Sequence, residues 1–358
     1  MRFTPEHMIR GFFFRAIIDW YRSNFRQLPW RNTRDPFKIW LSEIILQQTR
    51  VAQGLPYYEA FVRAFPSVVH LAKAPEQKVL RLWQGLGYYS RARNLHRCAK
   101  EIVKNYNGQF PSSFEELKKL PGIGPYTAAA IASIAFQESV AVVDGNVFRV
   151  LSRVFGVDKD IASDEGKKYF FSLANELIDK KQPDIFNQAV MEFGALHCLP
   201  KNPKCGECVF SKNCEANQKN LQALLPVKSK KVKVKTRYLY YFVIHTPKGI
   251  LMRQRNGKDI WRGLYDFYLI ECARSEKTSV LIAKDKFLSA STMIDESKIL
   301  THILSHQKLK VKFISVRKSF SKTDQTAAKR LELKNYNRKE VFKLPKPILI
   351  DRFLKENS

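Results

Sequence analysis

The stretch LPGIGPYTAAAI at residues 120–131 constrains the fold most, because its glycines and prolines interrupt an otherwise helical pattern. It predicts a tight turn between two helices. Such a turn bares backbone N–H groups at the start of the second helix, where the macrodipole also favours an anion. A nucleic-acid phosphate would fit there, with the acid Asp144 following shortly after. An ordinary Gly-Pro turn, with Asp144 as a helix cap, explains the stretch equally well.

The net charge indicates a polyanionic partner. The 358 residues include 62 Lys and Arg against 33 Asp and Glu, which gives a formal net charge of +29. A protein this basic usually binds nucleic acid or, as the second candidate, an anionic membrane. No apolar run approaches membrane-spanning length, and residues 1–22 lack a signal-peptide cleavage site. We therefore expect an intracellular protein with no membrane partner.

Residues 1–216 are predicted to form one helical domain. Apolar residues recur there at three-to-four spacing, which is typical of amphipathic helices. The segments with this spacing are residues 9–21, 37–53, 55–65, 76–85, 90–106, 113–120, 127–136, 147–155, 164–177 and 184–195.

The pattern changes after residue 216. Residues 217–236 are predicted to form a basic linker, and residues 237–358 show the period-two alternation of strands. The predicted strands are residues 238–245, 249–253, 264–271 and 309–316, and the predicted helices are residues 278–288 and 325–331. The second domain is therefore expected to be α+β and smaller, with a hairpin across residues 247–249.

Four of the six cysteines lie in one short segment. Cys198, Cys205, Cys208 and Cys214 have the spacing C-x6-C-x2-C-x5-C. In an intracellular protein, four thiolates this close in sequence predict a metal site, either tetrahedral zinc or an iron–sulfur cluster. The spacing alone does not choose between the two.

Two acidic residues are candidates for catalysis. Glu43 lies in an apolar helical segment, where an unpaired carboxylate is costly, and Asp144 follows the apolar run 140–143. A raised-pKa acid beside an ionised carboxylate is what cleavage of a glycosidic bond needs. Taken singly, each has a simpler explanation: a salt bridge to a buried Arg for Glu43, and a helix N-cap for Asp144.

In combination, these features resemble the base-excision DNA glycosylases with a helix-hairpin-helix and a Gly/Pro-Asp signature. The turn LPGIGPYTAAAI resembles the hairpin, VDGNV supplies the Asp, and the cysteine spacing matches the cluster loop of the endonuclease III branch. LPWR at residues 28–31, WLSEIILQQT at 40–49 and GLGYYSRARNL at 85–95 are similar to motifs of the adenine DNA glycosylase (MutY) family. The resemblance implies a mainly α glycosylase fold with one [4Fe–4S] cluster per chain, held by the four cysteines.

The C-terminal domain resembles the Nudix-like domain with which that family reads 8-oxoguanine. WRGLYDF at residues 261–267 is similar to the domain's W-x-G-L-W-E-F segment. No cluster of Glu that could hold Mg²⁺ follows residue 270, so pyrophosphohydrolase activity is not expected. The family's Phe-Ser-His loop is Leu304-Ser305-His306 here, which keeps the Ser and His that face the oxidised guanine.

Tyr126 separates two branches of the resemblance. Endonuclease III has a Lys at this position for Schiff-base lyase chemistry, and a Tyr cannot form an imine. The sequence therefore resembles a monofunctional glycosylase. The first alternative is an endonuclease III-like bifunctional glycosylase/AP lyase on oxidised pyrimidines. The second is a non-catalytic DNA-binding protein with a redox-sensing cluster, against which Glu43 and Asp144 in their motifs argue.

The resemblance implies removal of adenine mispaired with 8-oxoguanine or guanine in duplex DNA. Glu43 would protonate adenine, Asp144 would stabilise the sugar cation, and Tyr126 and Asn146 would support Asp144 and the water. The other implied contacts are an adenine pocket of Leu28, Trp30, Arg31 and Leu46, wedge and lesion contacts from Gln48, Thr49, Tyr88, Ser305 and His306, and phosphate contacts at Gly122 and Gly124. We expect a monomer that is cytoplasmic and nucleoid-associated.

Overall fold

The computed structural model describes residues 5–229, 234–257, 259–304 and 306–357, with side chains from Gly11 onward. Its contacts form two compact units: residues 1–73 with 94–230, and residues 74–93 with 231–358. Residues 74–93 thus join the C-terminal unit, whereas the sequence boundaries put them in the helical domain. Gln84 Oε1 accepts a hydrogen bond from Lys346 N at 3.1 Å. These residues lie so far apart in the sequence that apolar periodicity could not predict this contact.

The described chain up to Gln218 is helical, which confirms the predicted mainly α domain. The helices are α1 (Pro5–Asn24), α2 (Pro36–Leu46), α3 (Val51–Ala64), α4 (Val68–Lys73), α5 (Glu76–Leu82), α6 (Ser90–Asn105), α7 (Phe114–Leu117), α8 (Pro125–Phe136), α9 (Gly145–Phe155), α10 (Asp164–Leu177), α11 (Pro183–Leu196) and α12 (Glu215–Gln218). None of the described helices is long and apolar enough to cross a membrane.

One predicted helix, residues 37–53, is wrong. The structure has two helices there, because α2 ends at Leu46 and α3 begins at Val51. Gln48, between them, has a φ of 55°, a left-handed conformation that the interior of an α-helix does not contain. The break leaves residues 47–50 as a turn at the end of an almost wholly buried helix.

Helix α8 is the buried centre of the first unit. Its residues from Thr127 to Ile134 are all buried, and it packs against α2, α7 and α11. The cysteine segment joins a second part of the core through Phe210, whose ring lies 5.1 Å from that of Phe13 and 5.3 Å from that of Phe193. Burial of these rings fixes the segment against α1 and α11.

The second unit contains a mixed sheet, which confirms the predicted α+β domain. Its strands are β1 (Lys235–Thr246), β2 (Gly249–Gln254), β3 (Tyr265–Asp266), β4 (Tyr268–Cys272), β5 (Thr292–Glu296), β6 (Leu300–Ile303), β7 (Gln307–Arg317) and β8 (Lys334–Tyr336). Its later helices are α13 (Thr278–Lys284), α14 (Lys322–Arg330), α15 (Arg338–Lys343) and α16 (Ile348–Glu356). The predicted β1–β2 hairpin is confirmed by pairing of His245 with Ile250.

Strand β1 is central to this sheet. It pairs antiparallel with β2 and β4 and parallel with β7. Strand β7 also pairs antiparallel with β5 and β6. Strand β2 also pairs antiparallel with β3 and β8. The sheet therefore brings the start of β1, the loop before β3 and the turn between β6 and β7 to one region of the second unit.

Candidate active site

Asp144 is placed by buried amides and by the start of a helix. Asn187 Oδ1 accepts a hydrogen bond from Val142 N, and Asn175 Oδ1 accepts one from Ala141 N, each at 2.9 Å. The chain then enters α9, where Asp144 is the N-cap and its Oδ1 accepts hydrogen bonds from the backbone N–H groups of Asn146 and Val147 at 2.8 Å. Asp144 is thus an N-cap, as one interpretation of the sequence held. The two backbone hydrogen bonds fix the carboxylate through Oδ1 alone.

The second oxygen of Asp144 has a side-chain partner. Asn146 Nδ2 donates to Asp144 Oδ2 at 2.8 Å. Burial raises the pKa of Asp144, and the hydrogen bonds from Val147 and Asn146 act in the opposite direction by stabilising the anion. The surrounding donors therefore favour a fixed negative charge at this position.

Glu43 is buried on α2 and is held by Tyr126. The Tyr126 hydroxyl donates to Glu43 Oε2 at 2.6 Å. Burial raises the pKa of Glu43 to about 7; the Tyr126 hydrogen bond lowers it and the Asp144 charge raises it. A carboxyl group with a pKa near neutrality can both give and take a proton at physiological pH. Glu43 has the properties of a general acid, and Asp144 those of the accompanying carboxylate.

The phenol of Tyr126 donates to Glu43 rather than to Asp144, the residue that the resemblance gives it to support. Burial, followed by the charges of Glu43 and Asp144, raises the pKa of Tyr126 well above its ordinary value. The phenol therefore stays protonated and can act as a donor throughout the range in which Glu43 titrates. These side chains, with Asn146, form the group of four that the sequence predicts as catalytic.

Arg31 does not pair with Glu43 but with Glu192, a residue that the sequence analysis missed. Arg31 Nη1 and Nη2 donate to the two Glu192 oxygens at 2.8 and 2.7 Å, and Arg26 Nε donates to Oε1 at 2.8 Å. Burial of Glu192 would raise its pKa, but these hydrogen bonds outweigh it and bring the pKa to about 2. The sequence could have indicated Glu192 by the same pattern that indicated Glu43, which is a single Glu among apolar residues of a helix.

The predicted adenine-pocket residues lie on two short elements of the first unit. Leu28 and Trp30 are buried around a single 3₁₀ turn, Pro29–Arg31, and the Trp30 ring lies 5.0 Å from that of Tyr58. Leu46 is partly buried at the end of α2. The Arg31–Glu192 ion pair anchors the Pro29–Arg31 turn to α11.

The turn that leads into α8 has the features of a phosphate site. Gly122 has a φ of 79°, and a β-carbon there would lie 2.7 Å from Asn94 Cβ, so only glycine fits. Gly124 is the N-cap of α8, with no side-chain cap, and open space surrounds its Cα. The first N–H groups of α8 are therefore available to an anion.

The two predicted wedge residues share an unusual backbone conformation. Gln48 has a φ of 55° and Tyr88 a φ of 46°, and both side chains are exposed. Non-glycine residues seldom adopt this conformation, and such strain is common at functional sites. Gln48 and the partly buried Thr49 belong to the first unit, and Tyr88 belongs to the second.

Tyr88 lines a cavity of about 460 Å³ within the second unit. The same cavity is lined by Trp261, His302, Leu304 and His306. The structure thus brings Tyr88 and His306 to one site, as the resemblance implies. Ser305 lies outside the described residues.

The four cysteines line one cavity in the first unit. Among the residues that the structure describes, no group of three or more His, Cys, Asp or Glu side chains is arranged to hold a single metal ion. Burial raises the pKa of Cys208 to about 11, so a bound cation is needed to keep this thiol ionised.

The donors around the sulfurs also fit a thiolate-bound group. Phe210 N donates to Cys208 Sγ at 3.4 Å, and Arg153 Nη1 approaches Cys198 Sγ at 3.5 Å. Arg153 is buried and donates further to Leu199 O at 2.7 Å and Gln222 O at 2.6 Å. N–H groups directed at sulfur stabilise negative charge there.

A second buried arginine links the cysteine segment to Asp144. Arg149 donates through Nε to Cys198 O at 2.7 Å and through Nη2 to Asn146 Oδ1 at 2.9 Å and Gly194 O at 2.6 Å. Gly194 approaches Asn146 so closely that a β-carbon would lie 2.6 Å from Asn146 Cβ. The placement of Asn146, and through it that of Asp144, therefore depends on both α11 and the cysteine segment.

Comparisons with known proteins match both parts of the chain to families. Residues 41–176 match the HhH-GPD superfamily base excision DNA repair proteins, and residues 240–356 match the NUDIX domain. The solved structure of a thermostable thymine-DNA glycosylase is 30% identical, with a TM-score of 0.56, and the likeness covers 60% of this chain and all of that one. Fold and site together define a base-excision DNA glycosylase.

Two curated relatives narrow the class. The adenine DNA glycosylase of Buchnera aphidicola subsp. Baizongia pistaciae is 38% identical over 262 residues, 71% of this chain and 73% of that protein. The adenine DNA glycosylase of Buchnera aphidicola subsp. Schizaphis graminum is 33% identical over 340 residues, 94% of this chain and 96% of that protein. The chain belongs to the adenine DNA glycosylase family.

Proposed function

We propose that this protein is a monofunctional DNA glycosylase of base excision repair, which removes adenine mispaired with 8-oxoguanine or guanine in duplex DNA. The observation that carries the proposal is the buried Glu43, with a pKa of about 7, held by Tyr126 and influenced by the charge of Asp144. One acid that titrates near neutrality and one carboxylate fixed by helix donors are what N-glycosidic cleavage requires.

In the proposed reaction, the adenine leaves the base stack and enters the site, since its glycosidic bond is inaccessible inside the duplex. Glu43 gives its proton to a ring nitrogen, so that the base departs with the electron pair of the C1′–N bond. Asp144 stabilises the positive sugar or bonds to it transiently. Water then adds at C1′, and its proton passes to the Glu43 carboxylate, which restores the acid.

The supporting residues hold the two acids and the substrate. Asn146 fixes Oδ2 of Asp144, and Tyr126 fixes Glu43. Leu28, Trp30, Arg31 and Leu46 form the adenine pocket, with Arg31 oriented by Glu192. Gly122 and Gly124 present backbone N–H groups to a phosphate of the same strand.

Tyr126 also supports hydrolysis over lyase action. Its side chain carries no amine, so it cannot form the imine on which a glycosylase/AP lyase depends. Borohydride trapping separates the two activities, because only an imine is reduced to a stable protein–DNA bond. We expect no trapped complex.

We further propose one [4Fe–4S] cluster per chain, held by Cys198, Cys205, Cys208 and Cys214. The group would supply a structural cross-link among the four thiolates. Arg149 and Arg153 hold the segment that carries these ligands, and Arg149 extends that hold to Asn146. A visible absorption band and about four irons per chain are expected for the purified protein.

Recognition of the base opposite the adenine is assigned to the residues that the resemblance implies. These are Gln48, Thr49, Tyr88, Ser305 and His306, which we propose as the contacts to the 8-oxoguanine. The substrate is double-stranded DNA in the nucleoid, and the protein acts as a monomer. The left-handed backbone at Gln48 and Tyr88 supports their assignment to recognition. The net charge of +29 supports DNA as the substrate.

Single-turnover cleavage of an 8-oxoguanine:adenine duplex tests the catalytic assignment. Glu43→Gln and Asp144→Asn each preserve shape and remove an ionisable group, so each is expected to lower the rate by at least about a hundredfold. Glu59→Gln, at an exposed position on α3, is the matched control and should retain the full rate. Near-normal rates in both catalytic variants would contradict the assignment.

A further inference from the structure

Two irregular segments of the second unit line the 460 Å³ cavity. One is the loop 255–264 between β2 and β3, which carries Asp259 and Trp261. The other is the turn between β6 and β7, which carries Leu304 and His306. Backbone hydrogen bonds close each segment, from Gly263 N to Arg255 O at 2.8 Å and from Leu304 N to Gln307 O at 2.7 Å. Side-chain hydrogen bonds then connect one segment to the other.

The loop 255–264 is held in an unusual conformation. Trp261 has a φ of 65°, although its side chain is bulky, and Gly263 has a φ of 84°. Trp261 is buried, and its ring centroid lies 6.4 Å from that of His302 at the end of β6. Such a conformation persists only when the surroundings enforce it.

Arg237, near the start of β1, holds the same loop at Asp259, two residues before Trp261. Its Nη1 and Nη2 donate to the two oxygens of Asp259 at 2.9 and 2.7 Å. Its Nε and Nη2 donate to the two oxygens of Glu271 on β4 at 2.7 and 2.6 Å. The remaining Nη1 hydrogen goes to Gln307 Oε1 at 3.0 Å, directly after His306.

All five N–H donors of Arg237 are thus used, and the side chain is buried. One guanidinium fastens the Trp261 loop through Asp259 and the His306 turn through Gln307. Arg255 Nη2 also donates a hydrogen bond to Asp259 Oδ2, at 3.0 Å. Lysine could not replace Arg237, because an ammonium cannot make two bidentate pairs.

We propose that Arg237 is a positioning residue for lesion recognition, which sets the Trp261 loop and the His306 turn so that the cavity accepts the 8-oxoguanine opposite the adenine. This inference rests on the proposed function. Without Arg237, the two segments would need to be ordered when DNA binds, and affinity for the lesion duplex would fall accordingly. The catalytic group around Glu43 and Asp144 belongs to the other unit and keeps its geometry.

Affinity is measured with a duplex in which 8-oxoguanine, or guanine, lies opposite a non-cleavable 2′-fluoro-2′-deoxyadenosine. We expect Arg237→Gln to weaken binding of the 8-oxoguanine duplex by about tenfold and that of the guanine duplex by no more than about twofold. The single-turnover rate at saturating enzyme should stay within about twofold of wild type. Arg274→Gln, at an exposed site of the same unit, removes the same charge and should change neither.

Gln307→Leu keeps the test decisive if Arg237→Gln disrupts the fold. It removes only the tie to the turn and leaves both ion pairs, so a smaller loss of lesion affinity, about threefold, is expected. Wild-type affinity in both variants, or an equal loss for both duplexes, would overturn the positioning role. Failure of the wild-type protein to release adenine from an 8-oxoguanine:adenine duplex would instead overturn the proposed function.

Discussion

Replacing Glu43 by Gln should make the protein more stable, and increasingly so as pH rises. The pKa of Glu43 in the folded protein is about 7 against an ordinary value of 4.5. That difference corresponds to about 3 kcal/mol by which folding disfavours the ionised carboxylate. Because the folded-state pKa is raised, the stability associated with the protonated form is complete below the unfolded-state pKa and is lost as pH rises through about 7.

The amide introduced by Glu43→Gln carries no charge and can still accept the hydrogen bond from Tyr126. The variant should therefore match the wild type at about pH 4 and exceed its free energy of unfolding by up to about 3 kcal/mol at about pH 9. The same variant is expected to lose base excision, so that stability and activity change in opposite directions.

Urea unfolding of the wild type, Glu43→Gln and the exposed control Glu59→Gln, each at both pH values, measures the difference. The control should differ from the wild type by less than about 0.5 kcal/mol at either pH. An effect of Glu43→Gln that is independent of pH would refute the argument, because it would show that Glu43 is not desolvated as the structure indicates.

Two other substitutions test the support of the site. Gly194→Ala should push Asn146 away from Asp144. It should therefore cost about 1–3 kcal/mol of stability and lower the single-turnover rate by about a hundredfold. The control Gly11→Ala, at a position where open space surrounds the Cα, should change neither stability nor rate in the same assays. Cys208→Ser should abolish the visible absorption and lower the iron content and the thermal midpoint, whereas Cys272→Ser in the second unit should leave the iron content unchanged.

The two carboxylates proposed as catalytic were noticeable in the sequence because each lies in or beside an apolar stretch. Glu43 in an apolar helix and Asp144 after an apolar run were recognisable without a structure, and so was the four-cysteine segment. The Tyr126–Glu43 hydrogen bond was not, because it joins residues on two different helices. The sequence analysis also missed Glu192, although its signal is the same, because its partner arginines lie far from it along the chain.

Strands were predictable where their residues are buried. Strand β7 alternates between buried and partly buried residues over most of its length, and β1 has a continuous buried run. Strand β5 is exposed along its whole length and therefore shows no such pattern. The predicted helix 37–53 failed at Gln48, because a left-handed residue can interrupt a helix without a glycine or proline to mark it. The contacts that join residues 74–93 to the second unit are long-range, so the sequence pattern does not predict them either.

Incubation of the purified protein with an 8-oxoguanine:adenine duplex, followed by alkali, tests the central claim most directly. We predict strand cleavage at the adenine after alkali, none without it, and no covalent complex when borohydride is present during the reaction. A duplex with cytosine opposite 8-oxoguanine should remain intact. Cleavage without alkali together with a borohydride-trapped complex, or no release of adenine at all, would contradict the account.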